Sequence, residues 1–270
     1  MMPSLRRRLR EGRPLVTLFS IIAAVEVVEL VALAGFEGII LDMEHGSHGT
    51  EALGQLILAA RAWNTFPIVR VRSNDAAQIG AALDAGAAGV LVPQVSSAAE
   101  AARAVRAARF VPEGARGANP WVGAGGYGFA PRWFVEANAA TAVLVMIEGA
   151  DGLRAMREIV AVPGIDSVFL GPVDLSHSLG VPGQISHEKV RSAVATTIDV
   201  ARSVDMSIGV FAATEAAAAT EWLGCGAQLV AAGVDTAHIG TVLRRVVKHI
   251  QAPGSPGTAP LTSTLQGRIA

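Results

Sequence analysis

The chain has 270 residues, 51% hydrophobic and 17% charged, with a formal net charge of -1. That length fits one α/β barrel or one large doubly wound domain with a sizeable core. Balanced charge and an aromatic content of only 5% argue against nucleic acid or an anionic membrane as partner.

Along the chain, apolar strand-like runs alternate with Ala-rich helical runs. Arg6, Arg7 and Arg8 come first, with no long apolar run directly behind them, so no signal peptide is expected. A first strand is expected over 15–20, followed by a helix to Ala34. The most apolar stretch, 21–34, carries Glu26 and Glu29 and is too short to span a bilayer. Further strands are expected over 38–44, 67–71 and 89–93, with helices over 51–63, 76–85 and 98–108. Four more strands follow over 143–147, 167–170, 208–212 and 229–233, with helices over 152–160, 186–204 and 236–250. The lone Cys225 follows a glycine in an apolar segment and reads as a small core residue; a single thiol suits a reducing cytoplasm. The Pro-, Gly-, Ser- and Thr-rich 251–270 reads as a flexible tail.

Eight strand–helix units predict a single (β/α)8 barrel over 1–250. An open doubly wound sheet is the alternative. No Gly-x-Gly-x-x-Gly turn follows the first strand, which counts against a dinucleotide fold. The one long irregular segment, 111–131, is a candidate lid or oligomer contact. Its glycines make a weaker phosphate cradle, because no Lys or helix N-terminus sits where one is needed.

The most informative stretch is 143–174. Two apolar runs each end in a carboxylate, Glu148 and Asp174, with a helix between them. Such a crossover puts both strand C-termini on one edge and makes the acids neighbours. They repel unless a cation or proton sits between them. The alternative is that each caps the helix that follows it.

In a barrel, residues beyond the strand C-termini line the active site. Here they are Ser20, Asp42, Glu44, His45, Arg70, Arg72, Gln94, Glu148, Gly171 and Asp174. Asp42 and His45 share a turn, so either can orient or polarise the other. In that Gly-rich turn with His48, His45 also reads as a plain loop residue. Arg70 offers a fork of donors to a carboxylate or oxyanion, or else a structural ion pair. Gly171, Pro172 and Gln94 join Arg70 as candidate substrate contacts. His177, His187, His238 and His249 are assigned no role. Two carboxylates leave room for water and substrate on an oxygen-ligated ion, which suits Mg²⁺, Mn²⁺ or Co²⁺. The only lysines, Lys189 and Lys248, lie in helical runs. Schiff-base chemistry, which needs a lysine in the pocket, is therefore not expected.

The motifs Leu41-Asp42-Met43-Glu44-His45-Gly46, Val69-Arg70-Val71, Asp84-Ala85-Gly86, Arg116-Gly117, Ile147-Glu148 and Gly171-Pro172-Val173-Asp174-Leu175-Ser176 occur in order through nearly the whole barrel. Together they resemble the HpcH/HpaI aldolase family of class II, metal-dependent pyruvate aldolases. The resemblance implies Glu148 and Asp174 as metal ligands, His45 as acid/base and Arg70 as the pyruvate-binding arginine. It implies Asp42 or Asp84 as the acidic partner of His45, with Asp84 contributed by a neighbouring subunit. It also implies a homo-hexamer built from swapped C-terminal helices. Three features depart from commoner members: Met146 where some have Gln, Arg72-Ser73-Asn74-Asp75 after the arginine strand, and the Gly-rich 119–128.

The expected reaction is reversible cleavage of a 4-hydroxy-2-oxo acid to pyruvate and an aldehyde. Its rivals are cleavage of a malyl- or citramalyl-type acyl-CoA, decarboxylation of a 2-oxo diacid, and a non-catalytic metabolite-binding barrel. No basic CoA patch is visible.

Overall fold

The computed structural model describes residues 4–47 and 49–251. His48 and the expected tail beyond Gln251 lie outside the described residues. Eight parallel strands close into a barrel in chain order. They are β1 (Leu15–Ser20), β2 (Gly38–Asp42), β3 (Phe66–Arg70), β4 (Gly89–Val92), β5 (Ala142–Ile147), β6 (Ser167–Leu170), β7 (Ser207–Phe211) and β8 (Leu229–Val234). The closed β1–β8 pairing removes the open-sheet alternative.

Helices α2 (Val25–Leu33), α3 (Thr50–Ala62), α4 (Ala76–Asp84) and α5 (Ala98–Ala108) follow the first four strands. Asp75 and Ser97 start α4 and α5 as N-caps, each side chain accepting a backbone N–H three residues on. The expected helix over 152–160 is broken at Ala155 into α7 (Ala150–Arg154) and α8 (Met156–Val160). The second half carries α9 (Pro172–Ser178), α10 (Glu188–Arg202), α11 (Ala216–Gly224) and α12 (Asp235–Ile250).

Period-two alternation divides the core. Leu18, Ile39, Leu41, Val69, Val90, Val145 and Val168 face the helices. Phe19, Ile40, Ile68, Leu91, Leu144, Met146 and Phe169 fill the barrel interior. Gly209 is required there. A Cβ at 209 would sit 2.5 Å from Phe169 Cδ2, in the space the ring occupies. Extending the same alternation to the strand ends turns Asp42, Arg70, Glu148 and Phe211 inward as well.

Besides α9 and α11, which were given no bounds from the sequence, two further elements were not read from it. The arginine-rich start folds as α1 (Leu5–Arg10) and closes the N-terminal end of the barrel. Leu5 and Leu9 join the interior cluster. Arg8 is buried and donates to the Glu37 carboxylate and to the carbonyls of Arg13 and Pro14. The other element is α6 (Trp133–Ala140), placed between the irregular segment and β5. The irregular segment itself holds one short 3₁₀ helix, Gly123–Gly128, with Gly126 and Tyr127 in the left-handed region. Cys225 is exposed and not a core residue, because it is the C-cap of α11 on the outer surface.

Among the described residues no helix is long and apolar enough to cross a membrane. The last helix, α12, buries only Asp235, while Ile239, Val242, Leu243, Val246, Val247 and Ile250 stay exposed.

The plug formed by α1 should be measurable. Leu5→Ala removes a side chain that is 1% exposed and should cost about 2–5 kcal/mol in urea unfolding. Leu30→Ala, at a position 65% exposed, should change stability by less than about 0.5 kcal/mol. Equal effects would mean that α1 does not seal the barrel.

Candidate active site

The C-terminal ends of the strands converge on a cavity of about 240 Å³. Asp42, His45, Arg70, Glu148, Gly171, Pro172 and Asp174 line it, together with Phe19, Met146, Phe211 and Val234. Most strand-end residues expected from the sequence therefore meet in one place.

Parallel register explains the first contact. Asp42 and Arg70 are directly opposed across β2 and β3, so their side chains share the inward face. Arg70 Nε donates to Asp42 Oδ1 at 2.9 Å and Nη2 to Oδ2 at 2.6 Å. Nη1 lies 3.1 Å from Glu44 Oε2 and 3.9 Å from Met146 Sδ. The Phe19 ring stacks under the guanidinium, 4.8 Å from its carbon. Burial opposes the charged arginine, but the hydrogen bond and charge of Asp42, with Glu44 and Glu148 behind it, hold its pKa above the ordinary value. Arg70 is thus both ion-paired and part of the cavity wall. Nη1 is the end not taken by Asp42.

Asp42 Oδ1 also accepts from the backbone N–H groups of Glu44 and His45. It shapes the turn and does not bond the imidazole. The carboxylate within 4 Å of the ring is Glu44, with Nε2 3.9 Å from Oε2. The His45 side chain is 65% exposed at the cavity mouth. Asp84 is not brought near it within one chain. It ends α4 at the opposite end of the barrel and pairs with buried Arg116.

Glu148 is buried, and its Oε1 accepts the backbone N–H of Gln94 at 2.8 Å. Gln94 is a non-glycine residue at φ 56, a conformation costly for such a residue and common at functional sites. Its side chain donates to Glu44, so Gln94 stands behind the carboxylates and bridges two of them. Gly171 makes room for Glu148: a Cβ there would sit 2.9 Å from Glu148 Oε2. Neither acid caps a helix. The N-caps of α7 and α9 are Gly149 and Gly171, which have no side chain to cap with, and the first N–H of α7 donates to Ser178 Oγ. Burial, followed by the charges of Glu44 and Asp174, pushes the Glu148 carboxyl up to about 7 against the bond from Gln94 and the charge of Arg70.

Among the described residues no group of three or more His, Cys, Asp or Glu side chains gathers as a ready metal cage. Glu148 and Asp174 line the same cavity and repel each other. Two carboxylate donors fit a hard divalent cation that keeps water in its other positions.

Sequence reasoning missed Glu44 as a partner of Arg70 and passed over the apolar side of the cavity. Phe19 and Phe211 face inward in the strand alternation, which does not by itself separate cavity wall from core.

The sequence profile of the HpcH/HpaI aldolase/citrate lyase family matches residues 15–241. The chain belongs to that family. It is a carbon–carbon lyase on a (β/α)8 barrel. A hydroxypyruvate/pyruvate aldolase of Paraburkholderia phytofirmans is 34% identical over 254 residues, 92% of this chain and 97% of that protein. A 4-hydroxy-2-oxo-heptane-1,7-dioate aldolase of Salmonella arizonae is 38% identical over 229 residues, 84% of this chain and 87% of that one. The crystal structure of a family member from Burkholderia cenocepacia superposes with a TM-score of 0.88 at 31% identity, covering 92% of this chain and 99% of that chain.

The raised Glu148 carboxyl gives a pH test of this HpcH/HpaI lyase. The folded state holds the Glu148 proton more tightly than the unfolded chain. Stability is therefore full below about 4.5 and falls as pH rises through about 7. Metal-stripped protein should lose Tm between pH 5 and pH 8, and Glu148→Gln should remove most of that loss. Mg²⁺ or Mn²⁺ should raise the Tm of the wild type at pH 8 and not that of the variant. An unchanged pH slope in the variant would refute the assignment.

Proposed function

We propose that the chain is a metal-dependent class II aldolase that reversibly cleaves a 4-hydroxy-2-oxo acid to pyruvate, or a related 2-oxo acid, and an aldehyde. The observation that carries this reading is one cavity lined by an arginine, a histidine and two unbridged carboxylates, with no lysine in its wall. Lys189 and Lys248 sit on α10 and α12, away from it.

Glu148 and Asp174 would hold the divalent cation, Mg²⁺, Mn²⁺ or Co²⁺. When bound, such an ion supplies Lewis-acid stabilisation to the enolate of the 2-oxo acid. Arg70, fixed by Asp42, adds its remaining donors to the oxygen where that charge develops. Gly171 and Pro172 border the substrate on the α9 side, and Gln94 holds Glu148 and Glu44 in position. His45, at the mouth, takes the 4-hydroxyl proton directly or through water. Asp42 shapes the His45 turn, and Asp84 from another copy would be a second acid for that histidine. The oligomer in this reading is a hexamer, with the apolar face of α12 covered by a neighbouring subunit. The single thiol suits a cytoplasmic enzyme.

Exhaustive chelation should abolish pyruvate release and a divalent cation should restore it. Borohydride trapping of an adduct on Lys189 or Lys248 would end the reading. Arg70→Ala should cost about 10²–10³ in kcat for cleavage and for pyruvate proton exchange alike, and Arg70→Lys should not rescue it. His45→Ala should slow cleavage by about 10²–10⁴ and affect proton exchange differently, since exchange involves no 4-hydroxyl. Near-wild-type cleavage in His45→Ala would make His45 a loop residue.

Light scattering should show a homo-oligomer, and Val242→Asp with Val246→Asp should dissociate it. A stable, active wild-type monomer would remove both the swapped-helix reading and any role for Asp84.

A further inference from the structure

The cavity is divided along the order of the strands. Its ionisable groups run from β2 through β3 and β5 to the start of α9: Asp42, His45, Arg70, Glu148 and Asp174. The remaining arc, β7, β8 and β1, contributes Phe211, Val234 and Phe19. Phe211 and Val234 are only partly buried, because the cavity is what they face. Phe19 meets Phe211 edge to face at 5.8 Å and Phe169 at 6.0 Å, so this wall is rigid and closed from behind.

Charge divides the same way. Among the described residues, Arg70 is the one cationic side chain in the wall other than His45, and it is already held by Asp42 and Glu44. Arg72 leaves β3 at an exposed position and does not line the cavity. A divalent cation between Glu148 and Asp174 would be neutralised by those two carboxylates. Asp84, the group that the oligomer reading brings to this mouth, is another acid. A substrate with one carboxylate can be matched here. A second carboxylate would meet net negative charge on one side and aromatic carbon on the other, unpaired and desolvated.

We infer that the substrate is a monocarboxylate whose aldehyde half is uncharged and apolar, seated against Phe19, Phe211 and Val234. The inference rests on the aldolase reading. In cleavage the C3–C4 bond breaks and its electron pair stays on C3 as the enolate. The 4-hydroxyl loses its proton, C4 becomes the aldehyde carbonyl, and protonation of C3 gives pyruvate. His45 follows β2, next to β1. The chain beyond C4 therefore continues from His45 toward Phe19 and the β8–β7 arc. This substrate class differs from the dioate in the name of the Salmonella relative.

The test compares two aldehydes of equal length, butanal and 4-oxobutanoate, as partners of pyruvate in aldol addition by the Mn²⁺-loaded wild-type enzyme. Pyruvate methyl-proton exchange is followed in parallel. Butanal should have a kcat/KM at least about tenfold higher, and Phe211→Arg should shift the ratio toward 4-oxobutanoate by at least as much. Exchange with equal or better use of 4-oxobutanoate by the wild type would overturn the inference and leave the aldolase reading standing. Absence of both exchange and addition would overturn that reading and the inference with it. If Phe211→Arg does not fold, the wild-type ratio decides alone.

Discussion

The bidentate pair between Arg70 and Asp42 is the contact on which the site depends. It forms because parallel register sets the two residues opposite each other on the inward face of β2 and β3. A buried guanidinium is costly unless its donors are matched, and here the fork meets both carboxylate oxygens. The same Asp42 oxygen that receives Nε also receives the N–H groups of Glu44 and His45. One carboxylate therefore fixes the direction of the arginine and the path of the turn that carries the histidine. Removing it would leave the buried guanidinium with Glu44 as its remaining ion-pair partner at 3.1 Å and the His45 turn without its acceptor.

Past that pair the balance of charge is negative. Burial, with the charge of Asp42, raises the Glu44 carboxyl; burial, with the charges of Glu44 and Asp174, raises that of Glu148; Arg70 offsets only part of either. Glu148 is nevertheless held in place by the Gln94 N–H, which requires Gln94 to adopt a left-handed backbone, and by the absence of a Cβ at Gly171. Two positions thus keep a carboxylate where it is electrostatically unfavourable in the free protein. Such unfavourable preorganisation fits a bound counter-charge better than it fits a structural ion pair. Met146 sharpens the same point. Its thioether lies beside Arg70 Nη1 and adds no competing charge or strong acceptor.

Much of this was legible in the sequence, for reasons that differ by element. The eight strands stand out because strands buried on both faces read as unbroken apolar runs. Barrel closure then puts Asp42, Arg70, Glu148 and Asp174 at one end without any knowledge of distances. What was not legible depended on contacts. A six-residue, arginine-rich α1 has no helical stripe long enough to stand out, and only the open barrel beneath Leu5 and Leu9 gives it an apolar place. Cys225 sits in an apolar run, yet the helix turns it outward. Phe19 and Phe211 show the limit of alternation: an inward residue near a strand end is core or cavity wall according to what lies across from it, and that is set by other strands.

The far end of the barrel bears on how the site is completed. Asp84 is held there by Arg116, whose guanidinium is buried against Phe110 and Trp133, 4.4 and 5.5 Å from their ring centres. This is a large investment of packing in a carboxylate that meets no ionisable partner of the active site in its own chain. On α12, apolar residues recur at spacings of three and four from Ile239 to Ile250 and remain open to solvent, though the helix is anchored at Asp235 by bonds from Ser20, Ile21 and Ile22. Among the described residues nothing covers that stripe, and an exposed apolar stripe of this kind is a common mark of an interaction surface. A symmetric assembly that covered α12 and brought the α4 end of one copy to the cavity mouth of another would give both features a purpose. The same contact would then close the substrate cavity and set its charge.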